Sequence, residues 1–191
     1  RAAARAKSLF EMKNDEARFV WVDLEMTGLD PETCGIVEMA VVVTGPDLVS
    51  IAELELAIWQ PDEVLGRMDP FIWDNMRAGG RMARVRASKV SVRDAEKKAL
   101  SLTAEHTHFG EGILAGNTIY MDRLFLRRYM PLFEGFLHYR QVDVSSLKVL
   151  VKAWFPDREL KKPLSGGLEE SVLRSIVRES ACRVFGITTS A

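Results

Sequence analysis

Cysteine is scarce: Cys34 and Cys182 are the two in 191 residues, and they lie far apart in the sequence. That excludes a disulfide framework and a zinc site built on paired cysteines. It leaves two reduced thiols, as in a cytosol-like compartment, as the expectation. No apolar run approaches the roughly 18 residues that a membrane-spanning helix needs, so no membrane partner is expected. Excess charge is missing as well. The formal net charge is -1, so the surface as a whole does not advertise a polyanion partner. A small anionic ligand held by a few local cations and metal ions would not require one.

What is present describes one ordinary α/β domain. Apolar residues make up 47% and charged residues 28%, the balance of a chain that can bury a core. Residues 1–18 read as an N-terminal extension, 19–184 as the folded domain and 185–191 as a tail. The segment RAAARAK at 1–7 is basic and acid-free. It reads as a frayed helix turn or as the end of an organelle transit peptide. The expected compartment is cytoplasmic, with mitochondrial as the alternative.

Residues 19–24 are rich in β-branched and aromatic types and predict a buried strand. A loop follows, punctuated by Gly28, Pro31 and Gly35. Strands are expected at 36–44 and 48–59, joined by the turn Gly45-Pro46-Asp47. Short turns between three strands imply an antiparallel meander. Short helices are expected in 61–75 and at 81–88, and a longer one, capped by Ser91 or Ser88, through about His106. Then come a strand at 112–116, a helix at 120–129 capped by Asn117, and a strand at 139–144. A helix at 147–154 capped by Ser145, a loop at 156–167 and a last helix at 168–184 complete the pattern. The order predicts a mixed sheet, the meander plus further strands, flanked by helices.

Chemistry enters with the acids. Asp23 and Glu25 stand two apart at a strand end, so both carboxylates share one face. Side by side on an apolar strand they repel and lose hydration, and a divalent cation would offset that cost. An Asp-x-Glu pair alone also fits a solvated strand end. Asp122 sits in the first turn of a predicted helix just after a buried strand. Alone, it equally fits an acid favoured by the helix dipole.

Three blocks make the reading specific. FVWVDLEMTGLDP, GNTIYMDRLFLRRYMP and HYRQVDVSSLK resemble the oligoribonuclease family in wording, order and spacing, across about 19–154. The resemblance implies a ribonuclease H-like fold, which the element order also matches, and a homodimer. It implies 3′→5′ cleavage of very short single-stranded RNA, dinucleotides above all, with two Mg²⁺ or Mn²⁺ ions. Asp23, Glu25 and Asp122 fall on three of the four metal-ligand positions of the family. Leu29 matches a wedge against a base, and Thr118 a residue near the terminal phosphate. Arg140 and Ser145 match caps of the 5′-phosphate. Tyr139 matches an aromatic that reaches the neighbouring subunit's site, although a core aromatic would also fit.

The chain departs from the family where its closing block is expected. The fourth acid and a general-base His come there from a run like H-x-x-x-D-D-I-R-E-S. Here Arg178-Glu179-Ser180 resembles the tail of that run, which places Ser175 and Ile176 at the acids and Ser171 at the His. His106 and His108 sit at a helix end, and His138 precedes Tyr139, so none is the base. Glu169 and Glu170 are the nearby acids, with Glu170 the candidate ligand; a solvated helix start is their other reading. Met76 stands near a position where the family often has a His. The resemblance therefore leaves two expectations open: an exonuclease with a divergent end, or a relative that kept binding and lost catalysis.

Overall fold

A computed structural model describes residues 17–154. Residues 1–16 of the extension expected at 1–18, the helix expected at 168–184, Cys182 and the candidate Glu170 lie outside the described residues.

Five strands form one sheet in the order β3-β2-β1-β4-β5. β1 (Phe19–Met26), β2 (Ile36–Thr44) and β3 (Ser50–Ala57) form the expected antiparallel meander. β4 (Ile113–Gly116) and β5 (Gln141–Asp143) add parallel to β1. β2 is buried along its whole length, as the run IVEMAVVVT requires of an interior strand.

Between β3 and β4 run α1 (Asp62–Leu65), α2 (Pro70–Ala78), α3 (Arg81–Ala87) and α4 (Val92–Ala104). Of the two proposed caps, Ser91 is the one that starts α4. Its hydroxyl accepts the Asp94 amide at 3.1 Å, while Ser88 closes α3 instead. Then α5 (Ile119–Tyr129) and α6 (Pro131–Phe136) lead to β5, and α7 (Val144–Trp154) follows it.

The alternation of β1 divides the molecule into layers. Val20, Val22 and Leu24 face a core built with Ala95 and Ala99 of α4, Phe125 and Leu126 of α5, and Phe133 of α6. Trp21 faces the other way, against Val42, Ala115 and Val144. A third cluster joins Val37 to Leu65, Met76, Met82 and Val85 under the short helices. Burial of these side chains is the main stabilising term, at about 1.5–3 kcal/mol for each large aliphatic or aromatic group.

Among the boundaries that differ from expectation, three lie near the ends of β4 and β5. Asn117 does not cap α5. The cap position is Thr118, with a left-handed φ of 58° and no side-chain capping bond, because the Asn117 carbonyl is engaged by Ser145 and Lys148. Ser145 does not cap α7 either. It lies inside the first turn, and the Asp143 carboxylate accepts its amide at 2.8 Å, the capping role that Asp commonly fills. β5 is shorter than 139–144, because Tyr139 and Arg140 leave the sheet before pairing begins at Gln141.

Candidate active site

The site forms where two strands stop pairing. β4 runs beside β1 only from Phe19 to Trp21, so the amide edge of β1 beyond that point lacks a strand partner there. Gly116 ends β4 against it. A Cβ there would stand 2.8 Å from the Val22 carbonyl oxygen, so this close approach needs glycine. The chain then turns into α5, and Asp122 in its first turn swings back to the open edge. Its Oδ1 accepts the Leu24 amide at 2.8 Å. Asp122 is thereby fixed beside the residue that lies between Asp23 and Glu25.

Burial and crowding raise these carboxyls. Asp23 is pushed up to about 6, first by burial, then by Glu25 and Glu38, against the lowering effect of Arg81. Asp122 is pushed up to about 7, again first by burial. The Leu24 hydrogen bond holds it down, and the charges of Asp23 and Glu25 add to the rise. Such shifts mark a place that favours added positive charge.

Glu25 has found one source of it. Arg81 Nη2 lies 2.7 Å from Glu25 and 2.6 Å from Glu38. Glu38 stands directly opposite Glu25 across the β1–β2 pair. Among the described residues, no group of three or more His, Cys, Asp or Glu side chains is gathered closely enough to hold an ion. The donor set nevertheless suits a hard divalent cation, since carboxylate oxygens are what such ions bind.

A second polar group lies at the ends of β4 and β5. Asp143 accepts the amides of Thr118 at 3.0 Å and Ser145 at 2.8 Å. The Thr118 and Ser145 hydroxyls meet at 2.8 Å, and Asn117 accepts from Ser145 and from Lys148 Nζ, the latter at 2.8 Å. A β-branched residue with positive φ is strained, and these bonds hold Thr118 in place. Tyr139 is 52% exposed, which replaces the core-aromatic reading. The Arg140 guanidinium carbon lies 5.4 Å from the Tyr139 ring centre. His138 is buried, and its Nδ1 accepts the Arg140 amide at 2.9 Å. Arg123, buried beneath, donates to the carbonyls of His138 and Tyr139. Leu29 is 69% exposed at the tip of the loop after β1.

Residues 20–165 match the Exonuclease (RNase T) family profile. A probable oligoribonuclease of Caenorhabditis elegans is 40% identical over 163 residues, covering 84% of each chain. The oligoribonuclease of Hahella chejuensis is 47% identical over 139 residues, 72% of this chain and 76% of its own. The chain belongs to the oligoribonuclease family of exonucleases. Its fold resembles exonuclease I from Methylocaldum szegediense, with a TM-score of 0.59 and 17% identity over 88% of this chain and 40% of that one. That likeness supports the ribonuclease H-like architecture alone.

In this oligoribonuclease-family chain, Asp122 bonds the Leu24 amide, the residue between Asp23 and Glu25, so the three acids expected as ligands lie along one edge of β1. Sequence reading carried less of the surroundings. It missed Arg81, Glu38, Lys148 and Arg123. Arg81 and Lys148 carried no local signal, because each acquires its partner through tertiary contact. Met76 is wholly buried in the third core cluster and presents nothing to a phosphate. Ser171, Ser175 and Ile176 lie outside the described residues. Among the described residues, no helix is long and apolar enough to cross a membrane.

Proposed function

We propose that this chain hydrolyses very short single-stranded RNA from the 3′ end, releasing 5′-mononucleotides, at a site built on Asp23, Glu25 and Asp122. The observation that carries the reading is the 2.8 Å bond from the Leu24 amide to Asp122, which brings a residue 98 positions away to the Asp23–Glu25 pair. These three carboxylates would hold two Mg²⁺ or Mn²⁺ ions. Such a pair activates water and stabilises a leaving 3′-oxygen.

The remaining groups position substrate. Leu29 offers an exposed apolar tip to one base, and Tyr139 offers a ring face to another. Arg140 beside that ring suits a terminal phosphate, since a guanidinium donates two parallel bonds to it. Thr118 and Ser145 supply hydroxyls near the same end. In a homodimer, Tyr139 and Arg140 of one subunit would close the neighbouring site and limit substrate length.

A 5′-labelled diribonucleotide and a long single strand, each incubated with Mn²⁺, test the reading. Cleavage of the dinucleotide that vanishes in Asp23→Ala supports it. Preference for the long strand points instead to a general single-strand exonuclease. A second reading rests on the closing block, where Ser171, Ser175 and Ile176 replace the family His and acids. On that reading the chain binds short RNA and cleaves it slowly, since loss of a general base costs about 10²–10⁴-fold. Binding of the dinucleotide without turnover selects it.

A further inference from the structure

We propose that Arg81 is a built-in counter-ion that competes with a divalent cation for Glu25, and so sets how much metal the site requires before it loads. This rests on the reading of Glu25 as a metal ligand. Glu25, Arg81, Glu38, Arg84 and Glu55 form a line of alternating charge across β1, β2 and β3. Glu25 and Glu38 are directly opposite, an arrangement that is unfavourable unless a cation intervenes. Arg81 is that cation.

The buried member of the line does not need Glu25. Arg81 Nε donates to one Glu38 oxygen at 2.7 Å, and Arg84 Nη2 to the other at 2.8 Å. Glu38 is thus satisfied on both oxygens by guanidinium groups. Glu25 is the end of the line at the site, its side chain 36% exposed, and its contact with Arg81 can be given up while Arg81 stays on Glu38. A guanidinium does not lose its proton in the working pH range, so pH will not remove the competitor. It also repels a dication brought to the same carboxylate. Loading the site therefore exchanges the Arg81–Glu25 contact for a metal–Glu25 contact.

If Arg81 instead positions Glu25 for the metal, its removal has the opposite effect. The test is Mn²⁺ titration of the full chain by calorimetry, with Trp21 fluorescence alongside. Arg81→Met is expected to tighten Mn²⁺ binding by about tenfold, the scale of removing one adjacent repulsive charge near a protein surface. Arg84→Met removes a charge that does not touch Glu25 and should change binding little. Equal or weaker binding in Arg81→Met overturns the proposal, as does an equal gain in Arg84→Met. If Arg81→Met does not fold by circular dichroism, Arg81→Gln decides, since it keeps a polar donor for Glu38 without the charge. Mn²⁺ should again bind more tightly; equal or weaker binding overturns the proposal. Binding lost in Asp23→Ala but unaltered in Arg81→Met sinks the competition alone. No binding in wild type or Arg81→Met sinks the metal reading with it.

Discussion

Asp122 accepts the amide proton of Leu24 at 2.8 Å, and so a helix side chain completes the edge of a strand where its neighbour has stopped pairing. The carboxylate does two things at once. It satisfies a backbone donor that would otherwise be buried without a partner, and it brings a third negative group to the Asp23–Glu25 pair.

Asp122→Asn separates these two duties. The amide oxygen of Asn can still accept from Leu24, so the fold should persist, while the charge is gone. The expected result is a near-unchanged thermal midpoint in metal-free buffer at pH 5, where Asp122 is itself protonated, with a loss of about 10²-fold or more in kcat on a diribonucleotide. Paired melting curves and steady-state kinetics check it. Retained activity would remove Asp122 from the site.

The two raised carboxyls predict a pH dependence of stability. Asp23 at about 6 and Asp122 at about 7 bind protons more tightly folded than unfolded, where each would titrate near 3.8. Their protonated forms favour the native state, so this contribution is fully present below the unfolded value. It is lost as pH rises through the folded values. The metal-free protein should therefore melt about 5 °C lower at pH 8 than at pH 5. Asp122→Asn should flatten the difference. Melting curves across that range suffice, and a rise in stability between pH 5 and pH 8 would contradict the assignment.

Tyr139→Ala should weaken dinucleotide binding without unfolding the domain, because the ring is half-exposed. Loss of one base–aromatic stack costs on the order of 1–3 kcal/mol, so KM should rise by roughly 5- to 150-fold. Longer strands should gain relative to the dinucleotide. An unchanged length preference in a series of labelled oligoribonucleotides would show that this ring does not measure the substrate.

Arg123 anchors the segment that presents Tyr139. Its guanidinium reaches Glu134 at 2.8 Å and the carbonyls of His138 and Tyr139 at 3.0 and 3.1 Å. Arg123→Met leaves those buried acceptors without their donor and should cost about 3 kcal/mol, read from urea unfolding. Glu134, which Arg123 and Arg127 hold below its ordinary range despite some burial, loses its closer partner.

Local patterning was enough to place the meander and the acids of β1 and to narrow the cap of α4 to Ser88 or Ser91, because each depends on neighbours in sequence. The family motifs supplied Asp122. The Arg81–Glu38 pairing was illegible, since Glu38 sits in the apolar run of β2 and reads as an interruption until a helix 43 residues later covers it. Asn117 misled for a related reason. Its residue type suits a cap, but Lys148 and Ser145 from a distant helix compete for its carbonyl.

The 98-residue interval between Leu24 and Asp122 also has a consequence for the order of assembly. On the ribosome, Asp23 and Glu25 emerge early and remain a bare repulsive pair while most of the domain is still unmade. They acquire their third carboxylate only after β4 has docked and α5 has begun, the kind of distant closure that comes late in folding. On the proposed three-acid site, metal binding is expected only once β4 and α5 are in place, and its appearance during refolding would time that docking rather than the formation of the β1–β2 pair.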